Sequence, residues 1–129
     1  VLIVDAANVV GSVPDGWWKD RTGATARLRD SLLDVAEDGG PSSSVPEPLR
    51  GGPIDVILVV EGQARGVIGE EGVEVVAAPG SGDDAIVELA AELGPERSCF
   101  VATADRGLID RLLPFGVTLV GPRILRHRR

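Results

Sequence analysis

Acidic side chains follow each of four apolar, largely β-branched runs in this chain. Asp5 and then Asn8 come after residues 1–4, and Glu61 comes after residues 54–60. The run 73–77 leads through Pro79-Gly80-Ser81-Gly82 to Asp83 and Asp84, and 99–102 leads through Thr103 and Ala104 to Asp105. Hard divalent cations such as Mg²⁺ or Mn²⁺ take oxygen ligands, usually one or two carboxylates completed by water and substrate phosphate. A single acid in such a place is ordinary turn chemistry, and Asp83 or Asp84 can equally cap a helix N-terminus and offset its dipole. Four strand ends carrying acids together are a different matter. Like charges crowded at one edge cost stability unless a cation or raised pKa values relieve them.

Other chemistries fit these residues poorly. Gly80-Ser81-Gly82-Asp83-Asp84-Ala85 matches a dinucleotide-binding pattern in form, but it follows the third run and sets two anions where a pyrophosphate would lie. A phospho-aspartate mechanism wants a second Asp two residues after Asp5, where Ala7 stands. Lys19 is the only lysine, so there is no lysine-bearing phosphate loop. The sole histidine, His127, lies in a terminal basic segment, which argues against a Ser-His-Asp triad.

The runs that carry these acids read as strands, with a fifth at 117–120. Most lack in-out alternation, as a parallel sheet covered on both faces requires. Between them the periodicity predicts helices over 25–37, with an apolar stripe of Leu28, Leu32, Val35 and Ala36, and over 83–93, with Ile86, Leu89, Ala90 and Leu93. Ser81 and Asp84 have capping-box spacing at the start of the second. A third, short helix covers 106–113 and stops at Pro114. The Gly-rich stretch 61–72 has room for at most a short helix, and residues 39–53, rich in Gly, Pro and Ser, form a mobile surface loop. Strand and helix in alternation imply an α/β sandwich with right-handed crossovers and a mainly parallel sheet. In such sheets ligands bind beyond the carboxyl ends of the strands, where the acids are.

At 129 residues the chain is expected to form one domain over 1–122, followed by a basic tail at 123–129. Hydrophobic residues make up 43%, enough for a core without disulfide or zinc support. Trp17, Trp18, Phe100 and Phe115 are the only aromatics, which excludes a reader of single strands built on several stacked rings. The formal charge is −7; the tail holds Arg123, Arg126, Arg128 and Arg129, leaving nine basic against twenty acidic side chains before it, a net −11. Such a body repels phosphate unless cations intervene. Cys99, alone, is expected as a buried thiol. With no long apolar span and no leader pattern, no membrane association is expected and the cytoplasm is the expected compartment. The chain opens at Val1 within an apolar run, which implies missing N-terminal sequence.

Three of these segments carry a resemblance. Val1-Leu2-Ile3-Val4-Asp5-Ala6-Ala7-Asn8 resembles the opening strand of the NYN branch of PIN-like nucleases, where an Asp and an Asn follow the first strand. Val101-Ala102-Thr103-Ala104-Asp105-Arg106 is similar to that family's fourth-strand motif, and Asp83-Asp84-Ala85-Ile86-Val87-Glu88 to its acidic helix start. The three matches come in the family's order and frame nearly the whole chain. The resemblance implies a three-layer α/β/α fold with about five strands in the order 3-2-1-4-5, cutting RNA with Mg²⁺ or Mn²⁺. It also implies Asp5, Asp84 and Asp105 as metal-binding catalytic acids and Asn8 as the residue that orients them. Asp83 is the ambiguous neighbour, since adjacent helical side chains diverge by about 100°. Glu61 stands where the branch usually has Asp, and Ala6-Ala7 replaces a frequent Gly-Tyr pair, a change that reshapes the pocket without removing a ligand.

The surrounding residues keep two readings each. Arg106 contacts phosphate or pairs with Asp110 four positions on. Thr103 supports the Asp105 loop or is a plain strand residue. Trp17 and Trp18 stack on a nucleotide or pack, and the tail attracts the RNA backbone or is merely a free end. The expected activity is a metal-dependent endoribonuclease, in a chain that forms a homodimer by analogy of fold. The alternative is a catalytically silent PIN-like domain that binds RNA or a protein partner.

Overall fold

Alternate residues of an extended strand point to opposite faces, and both faces of this sheet are covered, which is why its inner strands are almost wholly apolar. In the computed structural model of the chain, residues 1–11, 21–38, 54–62, 66–69, 72–95 and 98–121 are described. The elements run β1 (Leu2–Asp5), α1 (Ala6–Gly11), α2 (Arg21–Asp38), β2 (Val56–Val60), β3 (Val73–Ala77), α3 (Gly82–Leu93), β4 (Phe100–Ala102), α4 (Arg106–Leu112) and β5 (Thr118–Val120). They build one five-stranded sheet in the order β3-β2-β1-β4-β5, every neighbouring pair parallel. The central strand is β1, whose Leu2 sits between Val56 and Phe100.

Leu2 and Val4 turn to one face, where Val9 of α1 and Leu32 and Ala36 of α2 cover them. Ile3 turns to the other, against Ile86 and Ala90 of α3 and Leu108 and Leu112 of α4. Leu2, Ile3 and Val4 are wholly inaccessible to solvent. At roughly 1.5–3 kcal/mol for each fully buried aliphatic side chain, this strand anchors both layers. Cys99 is buried, as its apolar setting implies. No helix among the described residues is long and apolar enough to cross a membrane.

The structure departs from the sequence reading at the start of the chain. No helix is expected directly after the first strand, yet α1 begins at Ala6, immediately beyond Asp5. Val9 and Val10 are poor helix formers by propensity, but their burial decides the outcome. Helix α2 starts at Arg21, four residues before the expected 25. Helix α4 ends at Leu112 and passes into a 3-10 turn, Leu113–Phe115, that includes Pro114 and closes at Gly116 with φ 70°. Trp17, Trp18, the 39–53 loop and the 123–129 tail lie outside the described residues.

Because all the strands are parallel, their carboxyl ends share one edge. Asp5 closes β1 there, Glu61 follows β2, and Thr103, Ala104 and Asp105 follow β4. Helix α3, after β3, starts at the same edge with Asp83 and Asp84 in its first turn.

Candidate functional site

Asp5 and Asp105 are tied together through one hydroxyl. Thr103 Oγ1 donates to Asp5 Oδ2 at 2.9 Å and accepts the backbone N–H of Asp105 at 3.1 Å. The other Asp5 oxygen accepts the N–H of Asn8 at 3.4 Å. Asn8 Oδ1 in turn accepts the N–H of Ala104 at 2.9 Å, so α1 holds the loop that leads to Asp105. Asp105 is the N-cap of α4, its Oδ1 accepting the Leu108 N–H at 3.1 Å, which leaves its second oxygen available. Thr103 and Asn8 thus join β1, α1 and the loop before α4.

On the other side of the edge, Glu61 Oε1 accepts the N–H of Gly82, the first residue of α3. A carboxylate here meets the positive end of the helix dipole. Ser81 caps the same helix, its Oγ accepting the N–H groups of Asp83 at 3.0 Å and Asp84 at 3.4 Å. The expected capping box forms only on this side: Asp84 does not return a bond to Ser81 but pairs with Arg111 of α4 at 2.9 Å. That pairing decides between the two neighbours. Asp83 lines the cavity described below, whereas Asp84, expected as a ligand, is turned to Arg111 and is outside the lining. The cause is helical phase, which sends adjacent side chains about 100° apart.

The cavity at this edge measures about 540 Å³. Glu61, Asp83 and Asp105 line one part of it, with Gly62, Gly80 and Ser81; Ala6, Ala7, Val10 and Thr25 line another. Asp5, 5% exposed, lies behind the lining. Burial pushes its carboxyl up from 3.8 to about 6; the bonds from Thr103 and Asn8 oppose this, and the charges of Asp83 and Glu61 add to it. Partial burial also raises Asp83, helped by the nearby charges of Asp105, Glu61 and Asp84 and opposed by Arg111. The charges of neighbouring acids thus add to the effect of burial at both Asp5 and Asp83.

Among the described residues, no group of three or more His, Cys, Asp or Glu side chains is placed to hold a metal ion unaided. The donor set nevertheless suits Mg²⁺ or Mn²⁺. It consists of carboxylate oxygens only, beside a cavity with room for water, and such ions keep several waters and need one or two carboxylates.

Arg106 is exposed at the first position of α4 and, among the described residues, forms no ion pair with Asp110. Thr25 was not among the candidates from sequence. It is 3% exposed and lines the cavity. The available signal is spacing: Thr25, Leu28, Leu32 and Ala36 occupy one helix face, so a polar residue heads an otherwise apolar stripe.

Five parallel strands in the order 3-2-1-4-5 between two helical layers give a three-layer α/β/α fold. Solved structures share it. Rae1 (YacP) from Bacillus subtilis superposes with a TM-score of 0.72 at 21% identity, covering 97% of this chain and 70% of that one. A tryptophan-to-leucine mutant of the same protein gives 0.70 at 20% identity, covering 96% and 70%. No family model and no curated protein matches the chain.

Proposed function

We propose that this chain is a metal-dependent endoribonuclease domain that hydrolyses RNA phosphodiester bonds at the carboxyl edge of its sheet. The observation that carries this reading is the convergence of Glu61, Asp83 and Asp105 on one cavity, with Asp5 buried behind them. The NYN-like motifs around Asp5, Asp83 and Asp105, and the fold shared with Rae1, support the same assignment. Asp83 and Asp105, with Glu61 beside them, are the side chains that would hold Mg²⁺ or Mn²⁺. When bound, the cation supplies charge for the scissile phosphate and lowers the pKa of a coordinated water.

The protein's own contribution is placement. Asp5 and Asn8 fix Thr103 and Ala104, and these fix the backbone of Asp105. The Leu108 N–H holds one Asp105 oxygen and keeps its carboxylate in a single orientation. Ser81 and Glu61 do the same for the start of α3, and so for Asp83. Arg106, exposed next to Asp105 in sequence, would be the cation that meets an entering phosphate.

Incubating the protein with end-labelled single-stranded RNA in Mn²⁺ or Mg²⁺ tests this. Cleavage is expected, stopped by chelation and lost in Asp105→Asn that folds normally by circular dichroism. RNA binding without cleavage in either metal would favour the silent-domain reading.

A further inference from the structure

We infer that Arg111 of α4 binds a backbone phosphate of the RNA next to the scissile one, across a strip of α4 that Gly107 leaves bare. The inference rests on the phosphodiester reading of the acidic edge and adds to it a fixed cation on the side of the cavity where α3 meets α4.

Arg111 is held where such a phosphate would pass. Its Nη2 donates to Asp84 Oδ1 at 2.9 Å. Asp84 stands next to Asp83, which lines the cavity, so the guanidinium lies just outside that lining, and its charge reaches Asp83 as well. Two other arginines are placed differently: Arg27 is exposed on α2, in the opposite helical layer, and Arg29 is engaged with Asp30 and the Ile68 carbonyl. As a brace the Asp84 pair does little, because the two side chains are 46% and 64% exposed and water and salt screen them. As an orienting contact it does more. A guanidinium carries five N–H donors in a planar fork, so one contact with Asp84 fixes its place and leaves donors for a second anion. Phosphate oxygens suit that fork.

Gly107 is the second observation. It lies four residues before Arg111, on the same exposed face of α4. Glycine is the poorest helix former after proline, so its presence inside a helix wants a reason. Backbone conformation does not supply one, since Gly107 is not among the glycines with positive φ. Packing does not supply one either: a Cβ there would meet only Asp105 Oδ1, at an ordinary 3.4 Å. What the glycine provides is the missing side chain. Between Asp105, which lines the cavity, and Arg111, about 9 Å further along the helix axis, a chain can lie against bare backbone.

Charge gives the strip its use. A cation held by Asp83 and Asp105 compensates the scissile phosphate alone, while the acids around it repel the phosphate that follows. Arg111 meets that next charge on the path away from Asp105.

The test reads RNA affinity apart from cleavage. In an Asp105→Asn background, the anisotropy of a labelled single-stranded RNA in Mg²⁺ is followed over a range of KCl. Arg111→Gln is expected to weaken binding about tenfold and to lower the slope of log affinity against log salt by about 0.7, the share of one phosphate contact. Arg111→Lys should keep the slope and recover part of the affinity. Gly107→Gln, which blocks the strip, should weaken binding with thermal stability kept or raised, whereas Arg27→Gln should change affinity less than twofold. With Asp105 restored, Arg111→Gln is expected to raise KM for cleavage about tenfold with kcat within twofold and Mn²⁺ affinity unchanged or tighter, because a positive charge has left the acids. Affinity and slope unaltered in Arg111→Gln, a loss matched by Arg27→Gln, or a joint fall in kcat and Mn²⁺ affinity, the mark of a brace for Asp83, would overturn the phosphate contact and leave the nuclease reading standing. A protein that binds RNA without cutting it, with the slope lowered in Arg111→Gln, would support the contact and count against cleavage alone.

Discussion

Asp5 and Thr103, 98 positions apart in sequence, are joined by a 2.9 Å hydrogen bond at the carboxyl edge of the sheet. The same hydroxyl accepts the N–H of Asp105, so one side chain links a buried acid to one that faces the cavity. Thr103→Val keeps the shape and removes both bonds. Asp5 then loses a donor to its charged form, and its pKa is expected to rise further above 6. Leaving a buried carboxylate and an amide short of partners costs roughly 1–3 kcal/mol at neutral pH. Thr103→Ser should recover most of the loss. Carboxyl carbon NMR titration and urea unfolding together check both statements.

The raised pKa of Asp5 has a definite sign in stability. The folded protein binds its proton more tightly than the unfolded chain does, so this group's stabilising contribution is full below about 4 and is lost as pH rises through about 6. A shift from 3.8 to about 6 corresponds to on the order of 3 kcal/mol between the two limits. In chelator, Asp5→Asn is therefore expected to gain stability relative to the parent as pH goes from 4.5 to 7.5. Adding Mn²⁺ should reverse the ranking at pH 7.5. Urea unfolding across that range measures the difference; a gap between the two proteins that does not change with pH would count against the assigned shift.

The strands are legible in the sequence because residues 56–60 and 2–4 are apolar without alternation, and only a sheet covered on both faces uses such runs. Their parallel course then places every strand-end acid at one edge, so the site's location follows from the same pattern. Helix α1 is not legible, since six residues that include Val9 and Val10 show no helical period until packing on α2 is known. Glu61 likewise shows its task only in three dimensions, because its partner Gly82 is 21 residues away. Thr25 lies between these cases: its face is periodic and readable, whereas its place in the cavity wall follows only from the fold.

Gly82 is required by contact rather than by backbone conformation. A Cβ there would come within 2.7 Å of Glu61 Oε1. Gly82→Ala is expected to push the Glu61 carboxylate off the α3 N-terminus. The lost charge-assisted bond costs roughly 1.5–3 kcal/mol, and alanine returns about 1 kcal/mol of helix propensity. The net loss of stability is therefore modest, about 0.5–2 kcal/mol. The larger expected effect is on Mn²⁺ affinity, because the start of α3 also sets Asp83. Thermal melting and Mn²⁺ titration by electron paramagnetic resonance separate the two effects.

Asp83 and Asp84 provide a comparison at adjacent positions. Asp84 is well exposed and paired with Arg111, so Asp84→Asn removes a surface ion pair worth about 0–1 kcal/mol. Asp83→Asn removes a cavity carboxylate that partial burial and, after it, the neighbouring acids hold at a raised pKa, and it relieves repulsion in the metal-free protein. Asp83→Asn is thus expected to be neutral or slightly stabilising in chelator and to lose Mn²⁺ stabilisation and RNA cleavage by a hundredfold or more, an order set by the loss of one charge-stabilising group at a reacting centre. Asp84→Asn should lose less than fivefold, through the small movement of α3 against α4 once Arg111 is released. Thermal shift with and without Mn²⁺, followed by single-turnover cleavage, measures both variants. Equal losses would mean that the helix turns Asp84 toward the ion when one binds, and that the Arg111 pair is a resting arrangement of the metal-free protein.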